Sequence, residues 1–246
     1  MTMSGSHAWK EVVGASVRPF CDIEIHVDSS ALLVVDMQNY ICRRDEGLGE
    51  RISSFREVAD YYFARLEELV IPHIETLVAF FRTNRLPVVY LRVGPLFQDG
   101  RDLSPLKRNR AEAFPQYAVG SHLHEIIDEL KPLQTDVVLD KNSAGAFNST
   151  AIDQLLRNMG VTSLVITGVA TNSCVNLTAS DAADRGYSCV LVNDACASFS
   201  QIVHDVTMAT FARIFGLVWD TEEVLQYFAK ALTRRGSLGC RQSVGS

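Results

Sequence analysis

Residues 164–198, LVITGVATNSCVNLTASDAADRGYSCVLVNDACAS, constrain the fold of this chain more than any other stretch, because strand, turn, helix and second strand follow one another directly. Residues 164–167 form an apolar run that Gly168 ends. Residues 171–185 carry spacing compatible with a helix, Gly186 stops it, and residues 189–192 are a second apolar run. The pattern is that of a βαβ crossover, which commits the chain to parallel strands. Cys174 falls where strand hands over to helix. A thiol there meets unpaired backbone N–H groups and the positive end of the helix dipole, which favour thiolate over thiol, so Cys174 is a candidate nucleophile. The competing reading is an inert core thiol, since cysteine is among the most buried residue types and the chain holds six.

Other strands repeat the arrangement. Residues 31–35 are a continuous apolar run, as in a central parallel strand buried on both faces, and Asp36 ends it. Residues 87–93 read as a second strand and 136–139 (DVVL) as a third, followed by Asp140 and Lys141. Ligands of open parallel sheets sit at the carboxyl ends of strands, where Asp36 and Lys141 both lie. An aspartate capping a turn and a surface lysine are the plainer readings of each alone. If their strands are neighbours, Lys141 stands beside Asp36, holding the carboxylate and favouring a thiolate.

Between these strands, Phe63, Leu66, Leu69, Val70, Ile74, Leu77, Val78 and Phe81 recur at helical steps through residues 51–84, with Pro72 as an interruption. Residues 42–55 read as a loop at the site's mouth, with Arg43 and Arg44 as surface charges or substrate contacts, and 94–110 as a second long loop. Residues 122–130 begin a short helix. Thr150 or Ser149 caps a helix over 151–159, residues 204–215 form another, 216–219 a last strand, and Thr221 caps a helix through Leu232. The whole is an α/β fold of three α/β/α layers around a mainly parallel sheet. Residues 30–232 make one domain, 1–29 an arm or loosely ordered tail, and 233–246 a frayed tail.

Composition narrows the function. A chain of 246 residues with 47% hydrophobic content buries one sizeable core, and a net charge of −6 disfavours a nucleic-acid partner. The cysteines show no CxxC pair, and the N-terminus has no signal-like apolar run, so a cytoplasmic protein with reduced thiols and no membrane association is expected. The 94–110 loop has no histidine, and His122 and His124 stand two apart at a helix start as surface or capping residues, so no metal or other cofactor is expected.

Three blocks taken together, LLVVDMQNYI (32–41), LDKNSAGAF (139–147) and GVATNSCV (168–175), resemble the signature blocks of the isochorismatase-like cysteine hydrolases, in order and over residues 30–225. The resemblance implies a catalytic triad of Asp36, Lys141 and Cys174, and a cis peptide between Val169 and Ala170. It also implies an oxyanion hole from the backbone N–H groups of Ala170 and Cys174, and a structural, hydrogen-bonded role for His204. Relatives are commonly dimers or tetramers, so a homo-oligomer is implied, with the arm as a candidate lid.

The expected reaction is acyl transfer from a small amide through Cys174, with Asp36 moving the protons. The cysteine favours an amidase over a vinyl-ether hydrolase of isochorismatase type, and the missing histidines disfavour a nicotinamidase. A carbamoyl or ureido C–N bond is then the expected target. The arm and the 99–110 loop look most like biuret and triuret hydrolases. Gln38, Arg92 and Asn172 are candidate substrate contacts, and Phe147 a pocket wall. A non-catalytic scaffold remains an alternative. A dinucleotide binder is weaker, because no GxGxxG follows any strand.

Overall fold

The computed structural model describes residues 23–105, 107–108 and 117–242. The arm expected over 1–29 lies outside the described residues as far as residue 22. Six strands, β1 (Ser30–Val35), β2 (Val88–Val93), β3 (Val137–Lys141), β4 (Ser163–Val169), β5 (Ser188–Ala197) and β6 (Leu217–Trp219), form one sheet in the order β3-β2-β1-β4-β5-β6. Every neighbouring pair is parallel. The order reverses between β1 and β4, and the crevice beyond the carboxyl ends of those two strands is where such sheets bind ligands.

The alternation of β1 shows why the sheet has two covered faces. Leu32 and Val34 join one core with Val165, Val190 and the helices α1 (Arg56–Arg65), α2 (Ile71–Thr83) and α6 (Thr221–Gln242). Ala31, Leu33 and Val35 join the other, with α3 (Ile152–Asn158), α4 (Asn176–Asp184) and α5 (Gln201–Ile214). Each residue of β1 is wholly shielded from solvent. That is the α/β/α sandwich expected from the strand–helix order.

Several boundaries differ from expectation for identifiable reasons. Pro72 does not interrupt the helix, because a π turn over Leu66–Val70 joins α1 to α2 and leaves the proline in the first turn of α2, where its missing N–H is least costly. The 42–55 segment contains a helical turn, Gly47–Ile52. Residues 122–130 are two separate 3-10 turns rather than a helix. Strand β5 runs five residues beyond Val192, since the polar groups it carries are satisfied: Asn193 Nδ2 donates to Asp220, and Asp194 accepts from the Thr221 N–H and hydroxyl. Thr221 is thus turned to Asp194, and the reach-back bond at the start of α6 is the Asp220 N–H to Glu223. The Thr150 hydroxyl does accept from the Ile152 N–H. Helix α6 continues past Leu232 to Gln242, through residues expected to fray.

Candidate active site

Asp36 is the residue immediately after β1, and its backbone is left-handed, with φ of 53°. Aspartate tolerates this region better than most residues, at a cost of order 1 kcal/mol. The turn is pinned by the Asp36 N–H donating to Leu91 and by its carbonyl accepting from the Gln38 N–H. Lys141 is the last residue of β3 and pairs in register with Val93 of β2. β1 and β3 are therefore not neighbours. The lysine reaches over β2, placing Nζ 2.8 Å from Asp36 Oδ2, with both side chains buried, and it also donates to the Ser143 carbonyl at 3.2 Å.

The third member comes from the opposite side of β1. Strand β4 ends at Val169, the Val169–Ala170 peptide is cis, as the resemblance implies, and a π turn over Thr171–Val175 carries Cys174 into α4. Gly168 permits this approach. A Cβ there would lie 2.1 Å from the Val35 carbonyl oxygen, and its φ of +109° is open to glycine. Cys174 stands near enough to Asp36 and Lys141 for the charge of each to act on its thiol. Lys141 holds Oδ2, and Oδ1 is buried without a hydrogen-bond partner among the described residues, which leaves Oδ1 as the oxygen open to the thiol proton.

Electrostatics at the thiol run against the sequence expectation. Burial, and then the Asp36 carboxylate, push the Cys174 thiol up to about 11, and the charges of Lys141 and Lys107 only partly offset this. Helix-terminal stabilisation was expected to favour thiolate. The depth of the site outweighs it, so the resting thiol is protonated and needs a base beside it. Burial also opposes the charge on Lys141, but the Asp36 carboxylate and Cys174 more than offset that and keep its pKa above the ordinary value.

A buried network holds the Cys174 loop. Thr171 Oγ1 and His204 Nδ1 are 2.9 Å apart, and His204 Nε2 lies 2.9 Å from Asn193 Oδ1 and 3.1 Å from Arg65. Arg65, nearly fully buried, also donates to the carbonyls of Asn193 and Cys196 at the end of β5. Burial, reinforced by Arg65, holds the His204 imidazole neutral.

The other expected contacts are distributed differently. Gln38 is fully buried. Its Nε2 donates to the carbonyls of Val93 and His124 and its Oε1 accepts from the Val93 N–H, so it ties the ends of β1 and β2 together. Arg92 is paired with Asp140 through two bonds of 2.7 and 3.1 Å. Asn172 accepts from the Ser198 hydroxyl. The Phe147 ring faces Tyr187, just before the amino end of β5, whereas Cys174 follows the carboxyl end of β4. Arg43 and Arg44 are engaged by Glu129 and by Glu67 and Asp60. His122 is exposed and pairs with Glu46, whereas His124 is wholly buried, 3.6 Å from Asp140. Among the described residues no group of three or more His, Cys, Asp or Glu side chains is placed to hold a metal ion. Among them, too, no helix is long and apolar enough to cross a membrane.

The family profile described as Isochorismatase domain matches residues 30–223. The chain belongs to the isochorismatase family. Among its relatives, ureidoacrylate amidohydrolase RutB of Acinetobacter baylyi is 28% identical over 220 residues, covering 84% of this chain and 86% of that protein. The uncharacterised isochorismatase family protein YaaI of Bacillus subtilis is 29% identical over 78% of this chain and 94% of its own length. Among solved structures, a cysteine hydrolase from Pseudomonas syringae pv. phaseolicola superposes with a TM-score of 0.74 at 26% identity, covering 87% of this chain and 99% of that one. N-carbamoylsarcosine amidase from Thermoplasma acidophilum gives 0.59 at 27% identity, over 78% and 96%. This isochorismatase-family hydrolase has a buried acid and lysine, and a partly buried thiol, at the sheet's switch point.

Proposed function

We propose that this protein is a cysteine-dependent amidohydrolase that cleaves a C–N bond of a small carbamoyl or ureido compound. The observation that carries the reading is the buried contact of Asp36 with Lys141, with the Cys174 thiol within reach of both charges. The similarity to ureidoacrylate amidohydrolase and N-carbamoylsarcosine amidase supports the substrate class. Within that class, biuret and triuret remain substrates to be tried beside the ureido acids.

Asp36 takes the Cys174 proton as sulfur forms a bond to the substrate carbonyl carbon, and the carbonyl electrons move to oxygen. The backbone N–H groups of Ala170 and Cys174 receive that oxyanion. Its collapse breaks the C–N bond, Asp36 returns the proton to the departing nitrogen, and a thioester or, from a ureide, a thiocarbamate is left on Cys174. Asp36 then deprotonates water, which attacks the acyl carbon and releases the thiol. Lys141 fixes Asp36 throughout and stabilises the transient thiolate. A thiol protonated at rest fits this sequence, because the base becomes active when substrate arrives.

Ammonia release from N-carbamoyl amino acids, ureidoacrylate, biuret, triuret and nicotinamide, with Cys174→Ala and a chelator as controls, tests the proposal. Chelator-insensitive release from a carbamoyl or ureido substrate that vanishes in Cys174→Ala is expected. Release that survives the substitution, or silence across the panel, contradicts it.

A further inference from the structure

Tyr62, on α1, is wholly buried, yet its hydroxyl has no hydrogen-bond partner among the described residues. Leaving a buried hydroxyl unpaired forfeits its hydration without return, and phenylalanine would fill the same space without that penalty. The position of the ring gives the hydroxyl a use. Tyr62 stacks on Phe199 with centroids 4.3 Å apart, and the preceding residue, Ser198, donates to Asn172, two residues before Cys174. One turn along α1, Arg65 bonds the carbonyls of Asn193 and Cys196, so the helix is fastened across the carboxyl end of β5 beside the candidate site. Burial acts most on the phenol, followed by the fields of Cys42, Asp36 and Cys174. The other buried side-chain oxygen without a hydrogen-bond partner among the described residues is Asp36 Oδ1, the atom assigned the proton in the reaction proposed above.

We propose that the Tyr62 hydroxyl is a substrate-binding group that donates a hydrogen bond to an oxygen of the bound carbamoyl or ureido compound, an inference that rests on the function proposed above. Burial, with the nearby negative groups, holds the phenol neutral well past ordinary pH, so it is a donor throughout the working range. The oxygen it meets is one other than the scissile carbonyl, which the backbone N–H groups serve. Carbamoyl and ureido acids carry such an oxygen in their carboxylate, and biuret carries one in its second carbonyl.

Tyr62→Phe removes only the oxygen and keeps the stack on Phe199. On whichever carbamoyl or ureido substrate the wild type turns over, kcat/KM is expected to fall roughly 10- to 100-fold, mainly through KM. The melting temperature is expected to stay level or rise, because an unpaired buried hydroxyl has gone. Unchanged kinetics overturn the inference alone. A melting temperature lowered by several degrees also overturns it, since the hydroxyl would then be a structural bond. Wild-type silence on every such substrate removes the functional reading, and this inference with it.

Discussion

Lys141 Nζ lies 2.8 Å from Asp36 Oδ2 although their strands are separated by β2, so the pair exists only because one long side chain spans a strand. Both charges are buried. A pair of this kind contributes little net stability when intact, but removing one partner strands the other in a low-dielectric interior.

Lys141→Met is therefore expected to destabilise the fold by about 3–5 kcal/mol and to abolish turnover. Adding Asp36→Leu should restore much of that stability without restoring activity. Denaturant melts of both single variants and the double variant measure the coupling; additive losses would show that the pair is not structurally linked.

The thiol makes a pH prediction. With Cys174 pushed up to about 11, its alkylation by iodoacetamide in the free enzyme should be slow at neutral pH and climb steadily through pH 9. A rate plateau reached below pH 8 would show a preformed thiolate instead.

Gly168→Ala should destabilise by about 3 kcal/mol or more, because the added methyl would meet the Val35 carbonyl at 2.1 Å in a backbone conformation that favours glycine. Activity should fall further than stability explains, since Gly168 leads directly into the Ala170–Cys174 turn. A well-folded, fully active variant would contradict the close approach of β4 to β1.

His124 supplies an acid-sensitive step. Burial, opposed by Asp140 and aided by Arg92, lowers its pKa from 6.5 to about 4. Between those values the unfolded chain holds the extra proton, so stability is complete above pH 6.5 and is lost as pH falls towards 4. Neither ring nitrogen has a hydrogen-bond partner among the described residues, so His124→Phe should be tolerated at neutral pH and should flatten that slope. An unchanged slope in urea melts at pH 7, 6, 5 and 4.5 would assign the effect elsewhere.

The strands at the centre of the sheet were legible because burial on both faces leaves an uninterrupted apolar run, as in β1 and the start of β4. Asp36, Lys141 and Cys174 stood out as chemical side chains at the carboxyl ends of such runs, and the three-block resemblance joined them. Strand order is not a local property, so nothing in the sequence separated β1 from β3. The rise in the thiol's pKa comes from tertiary burial, which the favourable local position of Cys174 concealed. Gln38 and Arg92 were conspicuous polar residues, but whether such a group faces a substrate or a backbone carbonyl depends on distant partners. Tyr62 lay within the apolar stripe of α1, where its ring is indistinguishable from a core aromatic.

The central claim, that Cys174 carries the acyl group, is tested most directly by intact-protein mass spectrometry after acid quench during turnover of a carbamoyl or ureido substrate. A single added acyl group is expected, localised to Cys174 by peptide mapping and absent from Cys174→Ala. Full turnover by Cys174→Ala, or an adduct mapped to any other cysteine, would contradict the account.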